Sequence, residues 1–360
     1  MHKFSFWDYD MAGRSRSRLA FFLLPVCLFT ACRNASSPLE PSSEFTDFQG
    51  FYHWTTDLVL DSTEQSWLDQ LSIDRLYVKF FDLDWDPAES EVVPLAFVQL
   101  DTSGIARRQV IPTVFITNRS MLQSQEADIP LLAHRIKEKI EVQFAPLDQS
   151  LVEVQMDCDW TPSSRERYFQ LLKELHTLYS TQGVALSSTI RLHQFRYPDQ
   201  TGVPPVDRGV LMFYNMGDLQ DWEESNSILN LEKAAAYLPS GLDYPLHLDL
   251  ALPLFRWAVL FREGQMIKLI NEPNELSILE SGKYLELAPN RYKVMEGTYL
   301  DGYYLYPGDL LRIESVSPRQ LKDAVELVRS KYPEIAANLI WYHLDGAVLK
   351  RYRIEAFAGL

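Results

Sequence analysis

The sequence predicts an α/β protein, specifically a TIM-type (β/α)8 barrel with a small β-rich insertion after strand seven. Short apolar runs recur along most of the 360 residues, and amphipathic segments of helical period separate them. Such alternation is typical of a parallel sheet, and eight units within about 300 residues are what a closed barrel requires. The eight predicted strands are Phe51–Trp54, Arg75–Phe81, Val110–Thr117, Val152–Cys158, Val184–Leu192, Gly209–Tyr214, Pro245–Ala251 and Leu339–His343.

Three of the segments between these strands carry clear helix signals. Arg165–Ser180 repeats apolar residues at helical spacing and is followed by Gly183, and Pro130–Val142 shows the same spacing. Ser317 followed by Pro318 is typical of a helix N-cap with proline at the first helical position.

Residues 254–316 interrupt the alternation and are predicted to form the insertion. Trp257–Phe261 and Met266–Ile270 flank a Glu263–Gly264 turn, which indicates a hairpin, and further short strands are predicted. The alternative is that Asp309–Ser315 is itself a barrel strand and one of the eight is misassigned. On the first interpretation the barrel comprises residues 49–253 and 317–350.

The N-terminal segment has the pattern of an export signal. Three arginines between residues 14 and 18 precede an apolar stretch at 19–30 that is too short to span a bilayer. The sequence around Cys32 resembles a bacterial lipoprotein box, which predicts a signal peptide at residues 1–31, lipidation of Cys32 and a Ser/Pro-rich tether at 32–48. The alternative is an ordinary cleaved signal in which Cys32 is incidental. Because Arg33 is not acidic, we expect a cell-envelope protein held at the outer membrane.

Composition excludes several classes of function. The formal charge is −15 and the pI about 4.9, which argues against a nucleic-acid partner. Three cysteines cannot form a disulfide framework. The G-x-S-x-G, P-loop and G-x-G-x-x-G motifs are missing from the sequence, which disfavours serine hydrolases, nucleotide triphosphatases and dinucleotide enzymes. We expect a monomer with no cofactor and no metal.

Polar residues gather where the predicted strands end, at the face on which barrel enzymes carry their active sites. Asp157 and Asp159 end strand four and share one face, and Asp82 with Asp84 repeats this arrangement on strand two. The other candidates at strand ends are Trp54 on strand one, Arg191 and His193 on strand five, Tyr214 and Asn215 on strand six, Asp249 on strand seven, and Trp341 and His343 on strand eight.

These residues also have structural interpretations. Asp157 and Asp159 are equally suited to a structural ion pair with Arg191. The spacing Asp82-x-Asp84-x-Asp86 suggests calcium, but the glycine and distal glutamate of a calcium-binding loop are missing.

Two segments resemble motifs of the chitinase-like family 18 glycoside hydrolases. Met156–Trp160 is similar to the family's strand-four signature Asp-x-x-Asp-x-Asp-x-Glu, and Met212–Asn215 is similar to its strand-six Met-x-Tyr-Asp. Trp341 falls where that family keeps a tryptophan under the sugar. The whole chain is also similar to a group of bacterial exported lipoproteins assigned to glycosidase-type barrels. The resemblance implies a carbohydrate ligand and carboxylate-assisted chemistry.

The sequence departs from this family at the position of its general acid. The family's glutamate is replaced by Thr161, and its first aspartate by Val154. Threonine cannot protonate a glycosidic oxygen, because acid catalysis needs a group that titrates near the working pH. Thr161 is instead predicted to cap a helix that begins at Pro162.

Two classes of function therefore remain open. The first is an envelope glycoside hydrolase with Asp159 as acid and Asp157, Asp249 or Asp82 as its partner. The second is a glycan-binding or scaffold lipoprotein that has lost the acid. A purely structural role in an envelope complex is a weaker third possibility.

Overall fold

Eight parallel strands close into a barrel in the computed structural model, which describes residues 48–101, 104–105, 108–335 and 337–357. The predicted signal peptide, Cys32 and almost all of the predicted tether lie outside the described residues. In the part of the chain that is described, no helix is long and apolar enough to cross a membrane.

The described residues form the following strands and α-helices. The strands are β1 (Gln49–His53), β2 (Asp57–Leu58), β3 (Arg75–Asp86), β4 (Glu91–Leu95), β5 (Gln99–Leu100), β6 (Gln109–Ile116), β7 (Glu153–Cys158), β8 (Ala185–Arg191), β9 (Arg208–Met212), β10 (Leu248–Pro253), β11 (Trp257–Arg262), β12 (Gln265–Asn271), β13 (Tyr284–Ala288), β14 (Arg291–Val294), β15 (Thr298–Leu300), β16 (Tyr303–Leu305), β17 (Leu310–Glu314) and β18 (Leu339–Tyr342). The helices are α1 (Ser62–Gln70), α2 (Asn118–Gln123), α3 (Ile129–Phe144), α4 (Arg165–Ser180), α5 (Leu192–Arg196), α6 (Pro198–Thr201), α7 (Leu231–Tyr237), α8 (Glu275–Glu280), α9 (Pro318–Lys331) and α10 (Gly346–Leu349).

The ring of barrel strands one to eight is made of β1, β3, β6, β7, β8, β9, β10 and β18. It closes because β1 pairs in parallel with β18 on one side and with β3 on the other. Each predicted barrel strand overlaps one strand of this ring, so the predicted fold class is confirmed. The end of β3 runs past the ring and pairs in antiparallel fashion with β4.

The outer helices bury the apolar faces that the sequence predicts. In α4, Leu171 and Leu175 are completely buried, and α9 begins at a capping box formed by Ser317 and Gln320. The predicted cap at Thr161 is wrong. A turn precedes α4, in which the Thr161 carbonyl accepts hydrogen bonds from the backbone N–H groups of Ser164 and Arg165 at 3.1 and 2.9 Å, and the helix begins three residues later than predicted.

Between β10 and α9 the chain forms a separate antiparallel sheet of five strands, in the order β12, β11, β17, β14, β13, and a two-stranded ribbon of β15 and β16. Strand β17 pairs with β11 and β14 and not with the barrel, so the alternative assignment of Asp309–Ser315 as a barrel strand is wrong. One face of the sheet packs on an apolar core that includes Leu260, Leu311 and Ile313.

Candidate functional site

Aromatic rings from four segments meet at the carboxyl end of the barrel, around Tyr342 at the end of β18. Its ring centroid lies 5.3 Å from that of Tyr214, in a stacked arrangement with an interplanar angle of 28°. Tyr52 and Trp54 lie 5.6 Å away, and Phe255 lies 5.8 Å away in an edge-to-face contact. We call these five residues the ring cluster. Tyr342 is half-buried, whereas the other four side chains are buried. Aromatic side chains with a few oriented polar groups are the usual composition of ligand sites.

Asp157 is the most deeply buried carboxylate beside the ring cluster. It is 1% exposed, and its Oδ1 accepts a hydrogen bond of 2.6 Å from the hydroxyl of Thr189 on the adjacent strand β8. Burial raises the pKa of Asp157 to about 6, and the nearby carboxylate of Asp159 adds to the increase. Arg191 and the Thr189 hydrogen bond act in the opposite direction. This carboxyl group therefore gains or loses its proton in mildly acidic solution.

Asp159 and Arg191 form a two-point ion pair at the mouth of the barrel. Arg191 Nε donates to Asp159 Oδ1, and Arg191 Nη2 donates to Oδ2 at 3.0 Å. The carboxylate remains 37% exposed, whereas the guanidinium is largely buried. This fork geometry fixes both side chains and leaves the Asp159 oxygens engaged.

Asp82 lies in β3 where its pairing with β6 ends, and it forms an ion pair with Lys79 from the same strand. Lys79 Nζ is 3.0 Å from Asp82 Oδ1, and the ammonium group lies 5.9 Å from the centroid of the Trp54 ring. Burial raises the pKa of Asp82. Asp84, two residues further on, accepts a hydrogen bond of 2.7 Å from Thr117 and pairs with Arg119.

The placement expected for Asp249 is wrong, because this residue lies at the opposite end of the barrel. It is the second residue of β10 and is completely buried. Arg208, the first residue of β9, donates to its Oδ2, and Asn338 Nδ2 donates to Oδ1 at 2.7 Å. Asp249 therefore belongs to a buried ion pair at the amino end of the strands and is not brought together with Asp157.

Trp341 also faces away from the mouth. Its ring packs edge-to-face on Phe357 at 5.2 Å between centroids, outside the barrel. Its neighbour Tyr342 occupies the inward position, so the expectation that the Trp341 ring lies at the site is wrong by one residue. The reason is that side chains alternate along a strand, and both faces of this strand are buried.

The remaining candidates lie around the rim. His343 is half-buried with its ring 5.3 Å from that of Tyr342, and burial lowers its pKa. His193 is exposed in the first turn of α5. Asn215 has a left-handed backbone (φ 60°), donates its N–H to the Ile228 carbonyl at 2.7 Å, and has a buried side-chain oxygen with no hydrogen-bond partner among the described residues.

Tyr342, Thr189 and Lys79 were not among the candidate site residues. Lys79 had a visible signal, since it is the one charged residue in the interior of the predicted strand Arg75–Phe81. Thr189 also had one, since it is polar and lies two residues before Arg191, on the same face of the predicted strand. Tyr342 had none that sets it apart from its neighbours. In the described ranges no three His, Cys, Asp or Glu side chains come close enough together to hold a metal ion.

Comparison with known proteins gives no matching family model and no match to a curated protein sequence. Solved structures do match. The spore cortex-lytic enzyme SleL of Bacillus megaterium QM B1551 superposes with a TM-score of 0.51 at 13% identity, covering 86% of this chain and 73% of SleL. The Group IV chitinase of Ostrinia furnacalis, solved with allosamidin, gives 0.50 at 12% identity, covering 85% and 97%. These similarities show a shared barrel fold.

Proposed function

We propose that this protein is a carbohydrate-binding barrel of the bacterial cell envelope, with a poly- or oligosaccharide held at the carboxyl end of the strands. The observation that carries the proposal is the ring cluster around Tyr342, with hydrogen-bonding groups at its rim. Aromatic faces pack against the C–H faces of sugar rings, and the polar rim supplies partners for hydroxyl groups. The barrels that share this fold include a chitinase and a spore cortex-lytic enzyme, which supports the choice of ligand class.

The geometry favours binding over cleavage. Cleavage by two carboxylates requires both groups to reach the glycosidic bond, one as acid and one as base or nucleophile. Asp159 is engaged by Arg191, Asp82 is paired with Lys79, and Asp157 is 1% exposed. Thr161 has no group that could replace the missing acid.

A glycoside hydrolase is the second candidate, and one observation favours it. The pKa of Asp157 is raised to about 6, as is expected of a general acid that must hold a proton near neutral pH. In that case Asp157 would be the acid, and Asp82 or Asp159 the second carboxylate.

The charges at the mouth favour an uncharged sugar. Among the described residues, three cations beside the carboxylates of the site each form an ion pair, so acidic sugars would have to break such a pair to bind these cations. The pairs are Lys79–Asp82, Arg119–Asp84 and Arg191–Asp159.

Binding and cleavage can be separated by one set of measurements. The purified protein is titrated with neutral and uronate-containing oligosaccharides in a calorimeter, and new reducing ends are counted after long incubation. Asp157→Asn and Asp159→Asn are compared with the wild type. Asp128→Asn, which removes an exposed carboxylate at the N-terminus of α3, is the control.

Binding of neutral sugars without new reducing ends is the expected result. Cleavage by the wild type that disappears in Asp157→Asn would establish the hydrolase instead. Failure of every neutral sugar to bind would reject the carbohydrate site itself.

We further propose that a lipid on Cys32 anchors the protein in the envelope, with residues 32–48 as a tether to the barrel. The support is the sequence pattern alone. Metabolic labelling with a palmitate analogue should mark the wild type and leave Cys32→Ser unlabelled, and the variant should be released from the membrane fraction. Equal labelling of both proteins would reject the anchor.

A further inference from the structure

We infer that the β-rich insertion fixes the loop that follows barrel strand six, and that Arg312 and Glu314 are positioning residues for the ring cluster. This strand-six loop comprises residues 213–230. For ligand binding the inference rests on the proposed function, whereas its structural part does not.

The strand-six loop begins with Tyr214 and Asn215 at the site and folds back on itself. The N–H of Asn215 donates to the Ile228 carbonyl at 2.7 Å, and the N–H of Gly217 donates to the Ser227 carbonyl at 3.1 Å. A Cβ atom at Gly217 would lie 2.5 Å from Ser227 Cα, so the two arms of the loop touch. A shift of one arm therefore moves the other.

The face of the insertion sheet that meets this loop is charged. Strand β17 alternates, with Leu311 and Ile313 in the apolar core of the insertion, and Arg312 and Glu314 on the opposite face. Arg312 is 2% exposed and Glu314 is 3% exposed. Two charged side chains buried this deeply are costly unless both are fully engaged.

The loop supplies a hydrogen-bond partner to each of the two charged groups. Arg312 Nε donates to Glu314 Oε1 at 2.6 Å, and Arg312 Nη1 donates to the Asp221 carbonyl. The Ser227 hydroxyl donates to Glu314 Oε2. One ion pair therefore binds the tip and the returning arm of the loop together.

Neighbouring strands add further contacts of the same kind. Arg291 at the start of β14 donates to the carbonyls of Trp222 and Glu224, each at 3.0 Å. Asn226 Nδ2 in the loop donates to the Ser315 carbonyl at 2.8 Å. The insertion thus holds the loop from residue 221 to residue 227.

Glu314 also connects this contact to the mouth of the barrel. Trp257 Nε1 donates to Glu314 Oε2 at 2.7 Å, and the Trp257 ring lies 5.2 Å from that of Phe255. Phe255 in turn lies 5.8 Å from both Tyr214 and Tyr342 in the ring cluster. Glu314 is therefore connected to the ring cluster in two ways, through the strand-six loop, which carries Tyr214, and through Trp257, which contacts Phe255.

The test is Arg312→Met in the full chain, measured by hydrogen exchange of the loop amides and by binding of a neutral oligosaccharide. Arg262→Met is the matched control. Arg262 also pairs with a carboxylate, Asp309, and lies over an aromatic ring, Tyr306, but its described contacts do not reach the loop.

We expect Arg312→Met to speed exchange of the strand-six loop roughly tenfold and to weaken sugar binding by about the same factor. Arg262→Met should change neither. If Arg312→Met does not fold, Ser227→Ala replaces it in the same two measurements, because it removes a single hydrogen bond between the loop and Glu314. Unchanged loop exchange in the folded variant would overturn the inference. Faster exchange in a protein whose wild type binds no sugar would reject the proposed function and leave the positioning role established.

Discussion

The Thr189 hydroxyl donates a hydrogen bond of 2.6 Å to Asp157 Oδ1 across the neighbouring strands β8 and β7. A hydrogen bond of this kind favours the charged carboxylate, yet the pKa of Asp157 is raised to about 6 because burial opposes the charge more strongly. The folded protein therefore binds a proton at Asp157 more tightly than the unfolded chain does.

This predicts a pH-dependent effect of Asp157→Asn on stability. The folded pKa of about 6 lies above the ordinary value of 3.8, so the contribution to stability is fully present below pH 3.8 and is lost as pH rises through 6. The wild type should lose about 2 kcal/mol of unfolding free energy relative to the variant between pH 4 and pH 7. Urea unfolding at several pH values measures this difference, with Asp128→Asn as control. A difference independent of pH would contradict the raised pKa. Thr189→Val, which removes the hydrogen bond that favours the charged carboxylate, should shift the pH range of this loss upward.

The Arg208–Asp249 pair predicts a loss of stability without a change in ligand binding. Both side chains are completely buried at the amino end of the strands, so Asp249→Asn removes the carboxylate that Arg208 contacts directly and leaves only the more distant Glu153 to balance its charge. We expect a loss of about 3 kcal/mol in unfolding free energy, because breaking a buried pair from one side is strongly destabilising. Calorimetry of sugar binding at low temperature should show wild-type affinity. A weaker affinity with unchanged stability would return Asp249 to the site.

The orientation of β18 makes Tyr342 and Trp341 distinguishable by mutation. Tyr342→Ala removes the ring that contacts the four other members of the ring cluster and should weaken sugar binding by roughly tenfold or more. Trp341→Phe should lower the melting temperature, since Trp341 is 1% exposed and packs on Phe357, and should leave affinity unchanged. The opposite pattern in a binding titration would restore Trp341 to the site.

The order of strands could be predicted from the sequence, whereas the depth and orientation of individual side chains could not. Strand seven was predicted at Pro245–Ala251 but spans Leu248–Pro253, so Asp249 lies at its start and not near its end. An apolar run shows that a strand exists. At the amino end of the barrel, however, the alternation of polar and apolar residues continues before the first residue of the strand, so the pattern does not show where the strand begins. On strand eight, residues on both faces are buried, so burial does not tell which ring faces inward.

The site itself was only partly predictable for a related reason. Asp157 and Asp159 were predicted to share one inward face, and the ion pair of Asp159 with Arg191 is the structural alternative that the sequence left open. The hydrogen bond between Asp157 and Thr189 was not predicted, because pairing across strands leaves no local pattern. The role of the insertion sheet in holding the strand-six loop depends on contacts between residues about ninety positions apart, such as Arg312 and Asp221.

Glu272 lies at the junction of the insertion with the barrel, and its pKa is well above the ordinary value for a glutamate. Its Oε1 accepts a hydrogen bond of 2.9 Å from the N–H of Arg256, while Arg256 Nε and Arg351 Nη1 lie 3.5 and 3.9 Å from Oε2. Burial nevertheless raises its pKa to about 7, against the effect of Arg256 and with a contribution from Asp345. The neutral acid is thus the preferred form in the folded state below neutral pH.

We therefore predict that Glu272→Gln stabilises the protein in alkaline solution relative to acidic solution. The folded pKa of about 7 exceeds the ordinary 4.5, so the wild type gains stability from this group below pH 4.5 and loses it as pH rises through 7. The difference in unfolding free energy between variant and wild type should increase by about 3 kcal/mol from pH 4.5 to pH 8, since the amide carries no charge at either pH. Denaturant unfolding with tryptophan fluorescence measures it, and Glu223→Gln, at an exposed position, is the control. A difference that stays constant over this range would mean that Glu272 keeps its charge in the folded state and that its contacts with Arg256 outweigh its burial.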